Sequence, residues 1–215
     1  MRDRLFLTLL TCIAAIGTAR AASTPVFDGK SFTGWDGDTT NIWRIADGCL
    51  VGGSLTAKIK QNEFLATTRS YTNFIIKAKF KLLGDNKAGF INSGIQIRSQ
   101  RRAGDSEMIG YQCDIGDPTW WGAIYDESRR NKLMAQSDMK ALEPVLKRGD
   151  WNDYQIQAEG RRIRTWINGV LAVDYTEADE KIIQWGRIGL QIHSGGPAEA
   201  WFKDITIEEL PATKG

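Results

Sequence analysis

The sequence predicts an all-β fold, a two-sheet antiparallel sandwich of the jelly-roll kind. Three observations carry this reading: short runs in which apolar and polar residues alternate, glycine-rich breaks between them, and the lack of any long helical period. At 215 residues, the chain is long enough for one domain with a sizeable core.

The elements follow in order. Arg2 and Arg4 form a basic start, Leu5 to Ile16 an apolar stretch, and Ala19 and Ala21 the small residues of an A-x-A cleavage site. That pattern predicts a signal peptide over residues 1–21 and a single domain over 22–215, secreted or periplasmic. The apolar stretch is short of the roughly 20 residues of a spanning helix, so no membrane association is expected after cleavage. Loss of Arg2, Arg4, Arg20 and Asp3 leaves 25 charges of each sign, so the mature part carries no basic excess of the kind that nucleic acid would select. Phe74, Ile76, Ala78, Phe80 and Leu82 alternate with Lys77, Lys79 and Lys81, which predicts a strand with one core face and one wet face. Tyr154, Ile156 and Ala158 repeat the pattern. Asn168-Gly169 between two apolar runs predicts a two-residue hairpin, because a type I′ turn needs positive φ at both central residues. Late strands are expected at 187–193 and 202–207. Residues 101–106 read as a loop, and 126–146 as the longest stretch without alternation, partly helical. Cys49 and Cys113 either pair or stay as buried thiols.

Three strands carry unusual polar residues. Gln96 and Arg98 lie opposite Ile95 and Ile97. Gln112 and Asp114 lie opposite Tyr111, Cys113 and Ile115. Gln191 and His193 lie opposite Ile188, Leu190 and Ile192. These groups fix hydrogen bonds in definite directions, unlike the lysines of the 74–82 strand. If the three strands are neighbours, the six residues form one site; otherwise they are polar positions of chance composition. Trp120, Trp121 and Tyr125 follow the second strand in a Gly/Pro loop. Aromatic rings cover the apolar C–H faces of sugars, so at least one of the tryptophans, with Tyr125, is expected to line a cleft, core packing being the alternative.

Phe27-Asp-Gly-Lys-Ser-Phe-Thr-Gly-Trp35, Asn92-Ser-Gly-Ile-Gln-Ile-Arg98, Gly122-Ala-Ile-Tyr125, Trp166-Ile-Asn-Gly169 and Gly189-Leu-Gln-Ile-His193 occur in this order. The set resembles the 3-keto-disaccharide hydrolase domain family from about Phe27 to Leu210. The resemblance implies a concanavalin A-like jelly roll, export, and cleavage of glycosides whose sugar carries a ketone at C3. The chain departs from the family at Gly110-Tyr-Gln112-Cys-Asp114, where members often carry Glu at the first polar position and Gln at the second. The shifted carboxylate bears on the substrate and on any metal there: no organic cofactor is expected, and a divalent cation is left open.

A C3 ketone acidifies the C2 proton, so a base can remove it and the C1 substituent can leave, with water adding later. Either Asp114 or His193 is the candidate base, with the other assisting departure, Arg98 is the candidate oxyanion holder, and Gln96, Gln112, Gln191, Trp120, Trp121 and Tyr125 are the candidate saccharide contacts. A retaining glycosidase needs two carboxyl groups about 5 Å apart. The register Gln112-x-Asp114-x-x-Asp117 puts an amide where a nucleophile would stand. A non-catalytic carbohydrate-binding domain would use the same face without acid–base chemistry.

Overall fold

The computed structural model describes residues 22–212. The expected leader at 1–21 lies outside the described residues. The strands are β1 (Thr24–Pro25), β2 (Trp35–Asp36), β3 (Trp43–Ala46), β4 (Cys49–Ser54), β5 (Glu63–Tyr71), β6 (Phe74–Gly84), β7 (Asn92–Arg101), β8 (Met108–Gly116), β9 (Ile124–Glu127) and β10 (Lys132–Ala135). A single helical turn, α1 (Met139–Leu142), precedes β11 (Asn152–Glu159), β12 (Arg162–Ile167), β13 (Val170–Thr176), β14 (Gly186–Ile192) and β15 (Ala198–Glu209).

The strands form two antiparallel sheets. One runs β13-β12-β11-β6-β15-β4-β3, with β1 added on β15; the other runs β10-β9-β8-β7-β14-β5-β2. The core lies between them. Phe74, Ile76 and Phe80 from the first sheet meet Ile95, Tyr111, Ile188 and Leu190 from the second, each at most 1 % exposed. A fully buried side chain of this size contributes about 1.5–3 kcal/mol. Alternation therefore decided which face of each strand went inward.

The hairpin expected at Asn168-Gly169 joins β12 to β13, with φ of 49° and 82° at the two turn residues. Residues 126–146 hold the end of β9, the short β10 and α1, whose start is capped by the Asp138 side chain accepting from the Ala141 N–H. Cys49 and Cys113 are buried and unpaired.

The order β14-β7-β8 puts the three polar-faced strands side by side. Gln96 stands opposite Gln112, and Gly94 stands opposite both Asp114 and Gln191. Directly paired residues share a face, so these polar groups gather on the outer face of the seven-stranded sheet.

Candidate active site

A pocket of about 220 Å³ opens on that outer face. Its polar lining is Asn92, Gln112, Asp114, Glu127 and His193, and its aromatic walls are Phe90, Trp120 and Tyr125. Glycine sets the floor. A side chain at Gly94 would put its Cβ 2.7 Å from Gln112 Cγ. Its lack leaves room for the Gln112 amide to cross the strands, and Nε2 donates to Asp114 Oδ1 and to Gln191 Oε1, both at 2.9 Å.

This floor is buried but not satisfied. Gln96, Gln112, Asp114 and Gln191 are all at most 3 % exposed. Among the described residues, seven buried side-chain N or O atoms lack a hydrogen-bond partner, and four belong to this group: Gln96 Oε1, Gln112 Oε1, Asp114 Oδ2 and Gln191 Nε2. Buried polar atoms without partners are rare, because each costs about 1–3 kcal/mol. Their concentration beneath one pocket is the mark of a site that something polar completes.

The carboxyl groups are tuned by the same burial. Desolvation pushes Asp114 up to about 8; the Gln112 hydrogen bond opposes this, the Glu127 charge adds to it, and Asn92 opposes it weakly. Glu127, on β9 beyond Tyr125, rises to about 7 through burial first, then the charges of Glu107 and Asp126. His193 follows the last residue of β14. Burial lowers its pKa, and its Nδ1 accepts from the Gly195 N–H at 3.2 Å. The neutral ring therefore carries its proton on Nε2. Phe90 packs edge-on against the ring with centroids 5.0 Å apart. These residues present two protonatable carboxyls and one neutral N–H donor. The described residues hold no group of three or more His, Cys, Asp or Glu side chains that could bind a metal ion.

The loop after β8 is held by its backbone. Asp114 N–H donates to Ala123 O at 2.9 Å, Gly122 N–H to Asp114 O at 2.8 Å, and Trp120 N–H to Gly116 O at 3.1 Å. The two adjacent tryptophans consequently part. Trp120 turns to the pocket and meets Tyr125 in a T-shaped contact at 6.2 Å. Trp121 turns to the core, 3 % exposed, stacked on Phe80 at 6.2 Å, with Nε1 donating to Asp117 Oδ1. The expectation of a cleft-lining tryptophan thus falls to Trp120, and Trp121 is a core residue.

Arg98 also leaves the group. Strand β7 has an irregularity between Ile97 and Gln100, and Arg98 sits there at φ 51°. The extra residue breaks the period-two alternation and re-aims the side chain. The guanidinium donates to Thr72 O, Gly160 O, Gln184 Oε1 and Asn73 Oδ1, tying loops together, and burial lowers its pKa to about 10. Gln96 lies on the expected face but beneath the surface, its Nε2 donating to Met108 O. Gln191 likewise acts through Gln112. Asp117, held by Trp121 and Arg148, is not in the pocket.

Three pocket residues, Glu127, Asn92 and Phe90, lie outside the expected set, although Asn92 shares the parity of Gln96 at the start of β7. Glu127 has a faint signal, since it shares parity with Tyr125. That strand is only four residues long, too short for its alternation to stand out.

A two-sheet antiparallel jelly-roll sandwich with a polar, aromatic-walled pocket on one outer face is the class of protein that this fold and site define. A galectin-like protein of unknown function from Bacillus subtilis matches at TM-score 0.63 and 10 % identity, covering 91 % of this chain and 98 % of that one. A carbohydrate-binding module from Bacillus subtilis matches at 0.60 and 16 %, covering 82 % and 96 %. A putative glycosyl hydrolase from Parabacteroides distasonis matches at 0.65 and 21 %, covering 88 % and 94 %. At these identities the likeness concerns the fold. No curated protein matches the sequence. Residues 22–208 match the 3-keto-alpha-glucoside-1,2-lyase-like domain, and the chain belongs to that family.

Proposed function

We propose that this protein is an exported enzyme that cleaves 3-keto-glycosides in the pocket on its seven-stranded sheet. The observation that supports this most is the meeting of Asp114, which is buried, and Glu127, which is half-buried, two carboxyls with raised and unequal pKa values, beside a neutral histidine N–H. Two carboxyls whose environments separate their pKa values divide into an acid and a base. Glu127 ionises first, near 7, and Asp114 keeps its proton until about 8.

Glu127 takes the C2 proton, which the C3 ketone makes acidic. The C–H electron pair passes into an enolate, whose oxygen the His193 Nε2–H stabilises by hydrogen bonding. The enolate collapses, the C1–O bond breaks, and Asp114 gives its proton to the departing oxygen. Water then adds across the C1–C2 double bond, so the net change is hydrolysis. Trp120 and Tyr125 cover the apolar sugar face, and Asn92 and Gln112 orient hydroxyls.

The test is turnover of a 3-keto-glucoside beside its unoxidised parent. Asp114→Asn and Glu127→Gln should each lower turnover by about 10²–10⁴-fold. Activity should fall below about pH 7 as Glu127 takes up a proton, and above about pH 8 as Asp114 loses one. Deuterium at C2 should slow the reaction or wash out into solvent. Rapid cleavage of the parent glucoside by both variants would overturn the mechanism. Saccharide binding without turnover of any substrate would instead make the protein a carbohydrate-binding domain.

A further inference from the structure

The eight-stranded sheet has an outer face of its own, and its composition is not that of an ordinary wet surface. Three of the eight tryptophans of the chain, Trp151, Trp166 and Trp201, lie there, each partly exposed. The strand register arranges them with lysines in successive rows. Lys81 pairs with Trp201 across β6 and β15, and Trp151 stands just before β11, on the other side of β6. The next row is Asp153–Lys79–Lys203, and the next Trp166–Gln155–Lys77. With strands about 4.8 Å apart and alternate residues about 7 Å apart along a strand, the rows span a surface some 15 Å across.

Lysine and tryptophan touch directly. The Lys81 ammonium lies 5.0 Å from the Trp151 ring centre and 4.7 Å from that of Trp201, and Lys203 lies 4.2 Å over Trp151. These contacts hold the ammonium groups over the indole faces without neutralising them. Among the described residues, Lys79 is paired, with Asp153 at 2.6 Å, whereas Lys77, Lys81 and Lys203 form no ion pair. A groove of about 430 Å³ is lined by Trp166, Gln155, Lys77 and Lys79 together with Asp153 and Asp204. The face thus offers positive charge fixed beside flat apolar rings.

We propose that this face binds an acidic polysaccharide, one carrying sulfate or carboxylate groups, at a site separate from the pocket on the opposite sheet. The rings stack against sugar C–H faces while Lys77, Lys81 and Lys203 meet the anionic groups. The choice of a saccharide over other polyanions rests on the proposed carbohydrate function; the charge and the rings stand independently of it. Such a site would hold the protein on a charged glycan while the pocket acts on another sugar unit.

Binding of chondroitin sulfate and polygalacturonate to the protein, by calorimetry at low salt, tests this. Affinity should fall steeply with added salt, and dextran should bind far more weakly. The Lys77→Gln/Lys203→Gln double variant and Trp166→Ala should each weaken binding by about tenfold, with turnover of a 3-keto-glucoside unchanged. Asp114→Asn should leave polysaccharide binding intact whether or not the proposed reaction exists, which separates the two readings. Failure of both acidic polysaccharides to bind, or unchanged affinity in both surface variants, would overturn the proposal. Tighter binding of a single-stranded oligonucleotide or of anionic phospholipid vesicles would overturn it in favour of that partner.

Discussion

Strand β8 carries a buried polar network on each of its faces, and the two are built in opposite ways. Inward, Tyr111 reaches Glu177, 2 % exposed. That carboxylate accepts from Tyr111 Oη at 2.6 Å, Tyr175 Oη at 2.8 Å, Arg130 Nη2 at 2.6 Å and the Asp179 N–H at 2.9 Å. Arg130 also pairs with Asp126, 0 % exposed, which Arg129 binds as well. Burial would raise the pKa of Glu177, but the hydrogen bonds from Arg130, Tyr111, Asp179 and Tyr175 outweigh it and hold the group well below the usual carboxylate range. Outward, Asp114 has one amide donor for one oxygen and none for the other, and burial wins. Burial alone does not mark a functional carboxyl. Glu177 has its hydrogen bonds completed by the fold, whereas Asp114 is left incomplete, as the proposed catalytic role requires.

Breaking the inner network should have the larger effect on stability. Glu177→Ala leaves Arg130 and two tyrosines without their common acceptor, and should cost about 3–5 kcal/mol in urea unfolding. Its sign with pH follows from the lowered pKa: the contribution is present above the unfolded value near 4 and is lost as pH falls toward the native one. The wild-type advantage over this variant should therefore shrink in acid. An advantage that grew in acid would show that Glu177 is not held as a carboxylate.

The outer network should respond in the opposite sense. With a native pKa near 8, Asp114 costs the fold stability increasingly as pH rises from about 4 through 8, because only the unfolded state ionises it freely. Asp114→Asn removes that cost. The variant should match the wild type near pH 4 and exceed it by a few kcal/mol at pH 9, since each tenfold change in the ionisation equilibrium is worth about 1.4 kcal/mol. Equal stability at both pH values would mean that Asp114 is not desolvated as described.

The smallest effect sharpens the same contrast. Gly94→Ala pushes a methyl group against Gln112 Cγ and should cost about 1–3 kcal/mol. Because Gln112 links Asp114 to Gln191, the alkaline limb assigned to Asp114 should also move in the pH profile of turnover. A stability loss with an unchanged profile would confine Gln112 to packing.

Much of this was legible in the sequence. Period-two alternation in 74–82, at Tyr154, Ile156 and Ala158 and in 187–193, with the Asn168-Gly169 turn, specified strands, faces and a hairpin, because burial and turn sterics act locally. Parity likewise put Gln96, Gln112, Asp114, Gln191 and His193 on one side of their strands. Tertiary structure decided the rest. Only the order β14-β7-β8 brought those strands together, through pairings nearly 80 residues apart in sequence between Gln112 and Gln191. Only the irregularity after Ile97 sent Arg98 to the loop carbonyls, and only the backbone ties of the 114–123 loop turned Trp120 outward and Trp121 inward. Glu127 entered the site through the pairing of β9 with β8. A side chain's face is set by its neighbours along the strand, whereas its partners are set by distant segments whose meeting no local pattern records.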